Sequence, residues 1–140
     1  MKFTKTFKQL TSKNVAIAGG KGASLGEMFN AKIPVPPGFI VMADAFDRFL
    51  LETDLAQDVQ AQLNKVNYKD INSVDKASNV IRAMIDKTKF PDDLKTEIMA
   101  EFKKLKAPLV AVRSSATAED SKTASWAGEL ETYLNTMKRS

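Results

Sequence analysis

Apolar residues recur along this chain with different periods, and each period predicts a different element. Loose alternation of Phe3, Phe7 and Leu10 predicts a short strand running into a turn at Thr11-Ser12-Lys13-Asn14. Val15-Ala16-Ile17-Ala18 is a brief apolar run that ends on Gly19-Gly20-Lys21-Gly22. Ala23, Leu25, Met28 and Phe29 then fall at helical spacing, so residues 20–30 are expected to be a loop entering a short helix. Ile33-Pro34-Val35-Pro36-Pro37-Gly38 cannot be helical, because residues before proline are pushed to extended conformations. It predicts a rigid connector into a strand over Phe39–Met42.

The middle of the chain carries the longer period. Ala43-Asp44 is placed to cap a helix with Phe46, Phe49, Leu50 and, at its edge, Leu51 on its buried face, and Leu55, Val59 and Leu63 continue that spacing. One bent helix or two short ones therefore run to about Asn64. After a polar linker over Asn67–Asp70, Asn72 or Ser73 is expected to cap a helix presenting Val74, Ala77, Ile81, Met84 and Ile85. The next helix has Pro91 in its first turn, Asp92 and Asp93 at the positive end of its dipole, and Leu94, Ile98, Phe102 and Leu105 as its stripe. Pro108 ends it and releases a strand over Leu109–Val112, and Trp126, Leu130, Tyr133 and Leu134 suggest a further strand. The sum is an α/β (α+β) chain: a small mixed or antiparallel sheet with several packed helices.

Composition narrows the chemistry more than the fold. The 140 residues hold 21 basic and 17 acidic side chains, well mixed, so no surface for nucleic acid or membrane stands out. No apolar run approaches bilayer length, and the N-terminus lacks a signal-peptide core, which predicts a soluble, cytoplasmic protein. Cysteine and histidine are absent, which excludes disulfides, thiolate catalysis, an imidazole base and a His-ligated metal.

Two stretches suit an anion. Three glycines and a lysine converge at Gly19–Gly22, where Gly20 and Gly22 let a ligand approach the backbone and Lys21 adds a mobile charge. Neither the P-loop pattern nor the GxGxxG fingerprint fits: Lys21 precedes Gly22, and Leu25 stands where the third glycine belongs. A looser Rossmann arrangement, with Phe39–Met42 as second strand and Asp44 on a ribose hydroxyl, remains an alternative that would favour a dinucleotide. The second stretch ends the strand at Leu109–Val112 with Arg113, whose guanidinium can fork onto phosphate oxygens beside donors from Ser114, Ser115 and Thr117. A solvated turn and hairpin would explain either stretch alone.

Taken together, the two stretches resemble a known family. Asn14–Met28 with Ile33–Phe39, and Val112-Arg-Ser-Ser-Ala-Thr-Ala-Glu-Asp120 through Trp126-Ala-Gly-Glu-Leu-Glu-Thr-Tyr-Leu-Asn135, are similar to the N-terminal signatures of phosphoenolpyruvate synthase (pyruvate, water dikinase) and pyruvate phosphate dikinase. Rifampicin phosphotransferase shares the pattern. The resemblance implies the N-terminal portion of an ATP-grasp nucleotide-binding domain over residues 1–140. It puts Lys21 and Arg113 on ATP phosphates and Gly128 and Thr132 in the same site, with Glu131 in the motif between them. Relatives commonly carry glutamine where this chain has Glu129.

The implied partners are ATP and the remainder of a larger phosphotransferase: the second half of the ATP-binding domain and a phosphohistidine domain. Mg²⁺ would be bound mainly by residues outside this chain, and Glu119 and Asp120 are expected to order the loop or be solvated rather than ligate metal. The whole enzyme would convert ATP, pyruvate and water into phosphoenolpyruvate, AMP and phosphate, although relatives with other acceptors share these motifs. This chain alone, without catalytic residues, is expected to be inactive. A non-catalytic nucleotide-binding or regulatory domain is the alternative.

Overall fold

A computed structural model describes residues 3–117 in full and residues 132–136 as backbone. The expectations for Glu119, Asp120, Trp126, Gly128, Glu129, Leu130 and Glu131 lie outside the described residues. The described elements are β1 (Thr4–Thr6), α1 (Val15–Asn30), β2 (Phe39–Val41), α2 (Ala43–Glu52), α3 (Leu55–Asn64), α4 (Ile71–Lys87), α5 (Asp92–Leu105), β3 (Val110–Arg113) and β4 (Thr132–Thr136). Short 3-10 turns at Phe7–Gln9 and Ser12–Asn14 join β1 to α1. Both strand pairs are antiparallel, β1 with β2 and β3 with β4. The chain is thus a mixture of α and β, and it divides into two compact units, Met1–Ala45 with Asp93–Ser140, and Phe46–Asp92.

In the first unit, β1 pairs with β2 through Thr4–Val41, Lys5–Ile40 and Thr6–Phe39. Met42 N–H extends the ladder to Phe3 O at 2.8 Å. Glu97 of α5 closes the start of β1, its two carboxylate oxygens accepting from Phe3 N–H at 3.1 and 2.9 Å. Phe7, Leu10, Ala18, Ala23, Met42 and Leu94 are buried in this unit. The predicted strand over Phe3–Leu10 is shorter than its alternation suggested. It stops at Thr6 because Gln9 folds back to accept from Thr6 N–H at 3.0 Å, and the backbone turns.

The glycine-rich stretch is helix rather than loop. α1 already begins at Val15, breaks at Gly19 (φ 73°, ψ 171°) and resumes to Asn30. That pair of angles is open only to glycine, because a Cβ collides with the backbone there. The buried face also differs from expectation. Ala18, Gly22 and Gly26, spaced at i, i+4 and i+8, are buried, while Leu25, Met28 and Phe29 are half-buried. A small-residue face permits a close approach: a Cβ on Gly26 would stand 2.4 Å from the Cβ of Leu10, itself fully buried. Asn30 seals the contact by donating to Leu10 O at 2.7 Å.

The second unit is helical. Phe49 is buried and lies 6.4 Å from Phe46 and 5.7 Å from Phe90 between ring centroids. Phe46 is itself 52% exposed, so the inward face of α2 is narrower than predicted. The chain breaks after α2 at Asp54, in a left-handed conformation (φ 57°), which produces two short helices. Asp70 caps α4, its carboxylate accepting from Asn72 N–H at 3.1 Å. The expected caps Asn72 and Ser73 lie inside the first turn, where Ser73 Oγ donates to the Asp70 and Asn67 carbonyls. α5 likewise starts one residue after Pro91.

Candidate functional site

Three candidate residues, Gly20, Gly22 and Ser115, meet in the first unit, where the loop after β3 reaches the break in α1. Gly19 ends the first turn of α1, so the helix restarts with Gly20, Lys21 and Gly22 as its first three residues. A restarted helix has unsatisfied N–H groups, and a preceding side chain normally satisfies one of them. Here the partner comes from far along the chain. Ser115 Oγ accepts from Gly22 N–H at 3.0 Å and Ala116 O accepts from Gly20 N–H at 3.1 Å. The same Ser115 hydroxyl donates its proton to Ala18 O at 2.7 Å, on the other side of the break. A Cβ on Gly19 would lie 2.2 Å from Ser115 O, so the loop packs directly on the backbone of the kink.

β3 delivers Arg113 to the edge of this contact. Its antiparallel pairing with β4 sets Val110 opposite Thr136, Val112 opposite Tyr133 and Arg113 opposite Thr132. Between the first two pairs β4 carries an extra residue, a bulge that shifts the register so that Arg113 and Thr132 face across the ladder. Arg113 and Ser114 are exposed, Ser115 and Ala116 are half-buried, and Thr117 is exposed; Lys21 is half-buried on the restarted helix.

The structure therefore joins Gly20, Gly22 and Ser115 by hydrogen bonds and sets Arg113 beside Thr132 by register. Lys21 lies between the two latched glycines in sequence, and Ser114 links Arg113 to Ser115. Gly128 and Glu131 lie outside the described residues, as does the side chain of Thr132. The N–H groups of Gly20 and Gly22, expected to face an anion, are engaged by the chain itself. Gly19 and Ala18, which motif spacing did not single out, prove to be the seat of the contact. The only signal for Gly19 was its place before two more glycines.

Several other expectations meet the structure here. The dinucleotide alternative needs a parallel β-α-β unit, yet β2 runs antiparallel to β1, Val15–Ala18 is helical, and Asp44 lies in the first turn of α2. Among the described residues no group of three or more His, Cys, Asp and Glu is placed to hold a metal, and no helix is long and apolar enough to cross a membrane. A cavity of about 390 Å³ in the second unit is lined largely by apolar side chains of α3 and α4, including Leu63, Val74 and Ile81, and by none of the candidate residues.

A restarted glycine helix with a half-buried lysine is thus latched to a loop headed by an arginine. The comparisons with known proteins supply the family. Residues 15–140 match the family model of the pyruvate phosphate dikinase AMP/ATP-binding domain, and the chain belongs to that family. It is 46% identical over 141 residues to a "probable phosphoenolpyruvate synthase" of Methanocaldococcus jannaschii, an alignment covering 96% of this chain and 12% of that protein. It is 40% identical to another so described from Methanothermobacter thermautotrophicus, covering 96% of this chain and 21% of the relative. It is 41% identical to the phosphoenolpyruvate synthase of Helicobacter pylori, covering 96% and 18%. The chain thus spans between 12% and 21% of the length of these three relatives.

Proposed function

We propose that this chain supplies the phosphate-binding wall of the ATP site in a phosphoenolpyruvate synthase-type phosphotransferase. The observation that carries the reading is the latch of Ser115 and Ala116 onto the Gly19 break, which ties the segment bearing Lys21 to the segment bearing Arg113. Membership of an AMP/ATP-binding family supplies the ligand class. In this reading Lys21 and Arg113 neutralise the triphosphate, Arg113 as a planar fork and Lys21 as a point charge. Gly128, Glu131 and Thr132 complete the wall, Thr132 standing opposite Arg113 in the β3–β4 pairing. Ser114 and Thr117 are weaker contacts on the exposed loop. The fold is that of a partial ATP-grasp domain, with the purine pocket and the Mg²⁺ ligands on the part of the parent protein that faces this one.

Nucleotide binding, orientation and charge neutralisation are what the residues of this chain contribute. With no histidine in the sequence, the phosphohistidine carrier belongs to another domain of the parent enzyme. The overall reaction there is ATP, pyruvate and water to phosphoenolpyruvate, AMP and phosphate, in the cytoplasm.

Phosphoryl transfer depends on positioning and electrostatics, so removing either cation should damage turnover more than folding. Arg113→Ala in the intact parent enzyme is expected to lower kcat/KM at least about a hundredfold, or roughly 3 kcal/mol, with unchanged circular dichroism. A wild-type rate in a folded variant would reject the assignment. For the chain by itself, Trp126 is the sole tryptophan and stands two residues before Gly128 in the motif assigned to the site. Its fluorescence should respond to MgATP and ADP and not to NAD.

A further inference from the structure

Resting on that reading of the site, we infer that Ser115 is a positioning residue, a helix cap supplied from a distant segment of the same chain that fixes the distance between the Lys21 and Arg113 segments, and is not itself a phosphate ligand. A serine hydroxyl has one proton to give and two lone pairs to offer. The Ser115 proton is committed to Ala18 O at 2.7 Å, and one lone pair takes the Gly22 N–H at 3.0 Å. It therefore has no second proton for a phosphate oxygen, whereas its bonds span both sides of the Gly19 break. In the usual N-cap the hydroxyl accepts from the third residue of its own helix. Gly22 is that residue in the restarted α1, and Ser115 lies 93 residues further along the chain. The Ala116 carbonyl on the Gly20 N–H gives the loop a second anchor one residue on. Gly19 makes this possible twice over: only glycine adopts its φ of 73°, and only an absent Cβ admits Ser115 O at so short a range. Two residues back from Ser115 the strand carries Arg113, and one residue back from Gly22 the helix carries Lys21. Each cation is thus within two residues of the same pair of hydrogen bonds.

The test uses the intact parent enzyme, in wild-type form and as Ser115→Ala and Ser115→Cys. Two quantities are read: amide hydrogen exchange at Gly22 without nucleotide, by mass spectrometry, and the dissociation constant for MgATP from calorimetry. In Ser115→Ala the Gly22 amide should exchange about tenfold faster and the MgATP constant should rise about tenfold, the scale of one lost hydrogen bond that leaves buried partners. Ser115→Cys keeps the shape with a weaker donor and acceptor, so both quantities should fall between the other two proteins, and it carries the test if the alanine variant does not fold. A Gly22 amide unprotected in the wild type would overturn the latch. Faster exchange with unchanged MgATP affinity would overturn the positioning role. A protected Gly22 in a wild-type enzyme that ignores MgATP would overturn the nucleotide reading, and the positioning role with it, while leaving the latch as architecture.

Discussion

Thr4 illustrates how single residues in this chain hold polar atoms under different constraints. It is 1% exposed, at the start of β1 opposite Val41, and its Oγ1 has no hydrogen-bond partner among the described residues. Burying a hydroxyl without a partner costs about 1–3 kcal/mol, so this atom opposes folding. Thr4→Val keeps the branched shape that suits a strand and removes the orphan. It is expected to raise stability by about 1 kcal/mol in urea unfolding, with the m-value unchanged. A loss of similar size would mean that the hydroxyl is satisfied by a group not among its protein neighbours. Ser115 is the opposite case, a half-buried hydroxyl with both functions used. Composition treats the two as alike. What separates them is which backbone lies opposite, and for Ser115 that backbone is far away in sequence. The sequence singles out Lys21 and Arg113 because their neighbours form motifs; the contact that joins their segments leaves no such mark.

At the scale of elements, hydrophobic period found α3, α4 and α5 because large apolar residues recur there every three or four positions. It misread α1 because the buried stripe there is Ala18, Gly22 and Gly26, residues that a hydrophobicity pattern counts as weak or as turn formers. The same bias hid the cap of α4, since Ile71 is apolar but 75% exposed and Asp70 lies before it. The end of α1 is a further instance. Ile33 N–H reaches Met28 O at 3.0 Å and Lys32 N–H reaches Phe29 O at 3.1 Å, the paired bonds of a Schellman turn. Its left-handed residue is Lys32, at φ 60°, where glycine is the usual occupant. A side chain there costs about 1 kcal/mol in local strain, partly offset by the greater freedom of glycine in the unfolded chain. Lys32→Gly is therefore expected to raise stability by about 0.5–1 kcal/mol, read as a higher denaturation midpoint. A β-branched residue should move it the other way, so Lys32→Val with no loss would show that the turn relaxes.

For the whole molecule, the two units bury their residues unequally, and that inequality predicts how each opens. The first unit holds fully buried Leu10 and Leu94 along with Phe7, Ala18, Ala23 and Met42, and hydrogen bonds tie its break, its loop and the start of its first strand. In the second, Phe49, Leu55 and Ala77 are buried, while Leu51, Tyr68 and Ile71 are 74%, 82% and 75% exposed. Apolar area removed from water is the main source of cooperative stability, so the second unit has less to resist opening. Amides in the core of α3 and α4 are expected to exchange about two orders of magnitude faster than those of residues 22–29 in α1, when all are read in one native-state experiment. The Ser115 latch then sits in the slower-opening unit, as the proposed phosphate wall requires, because a wall that frays would lose the orientation of both cations. Titrating urea below the global transition separates two outcomes. If α3 and α4 exchange by a small local opening while α1 exchanges only by global unfolding, the units are separate in stability as well as in contacts. If both sets merge to one rate from the lowest denaturant concentration, the chain unfolds as a single cooperative body and the exposed side chains of the second unit cost it nothing locally.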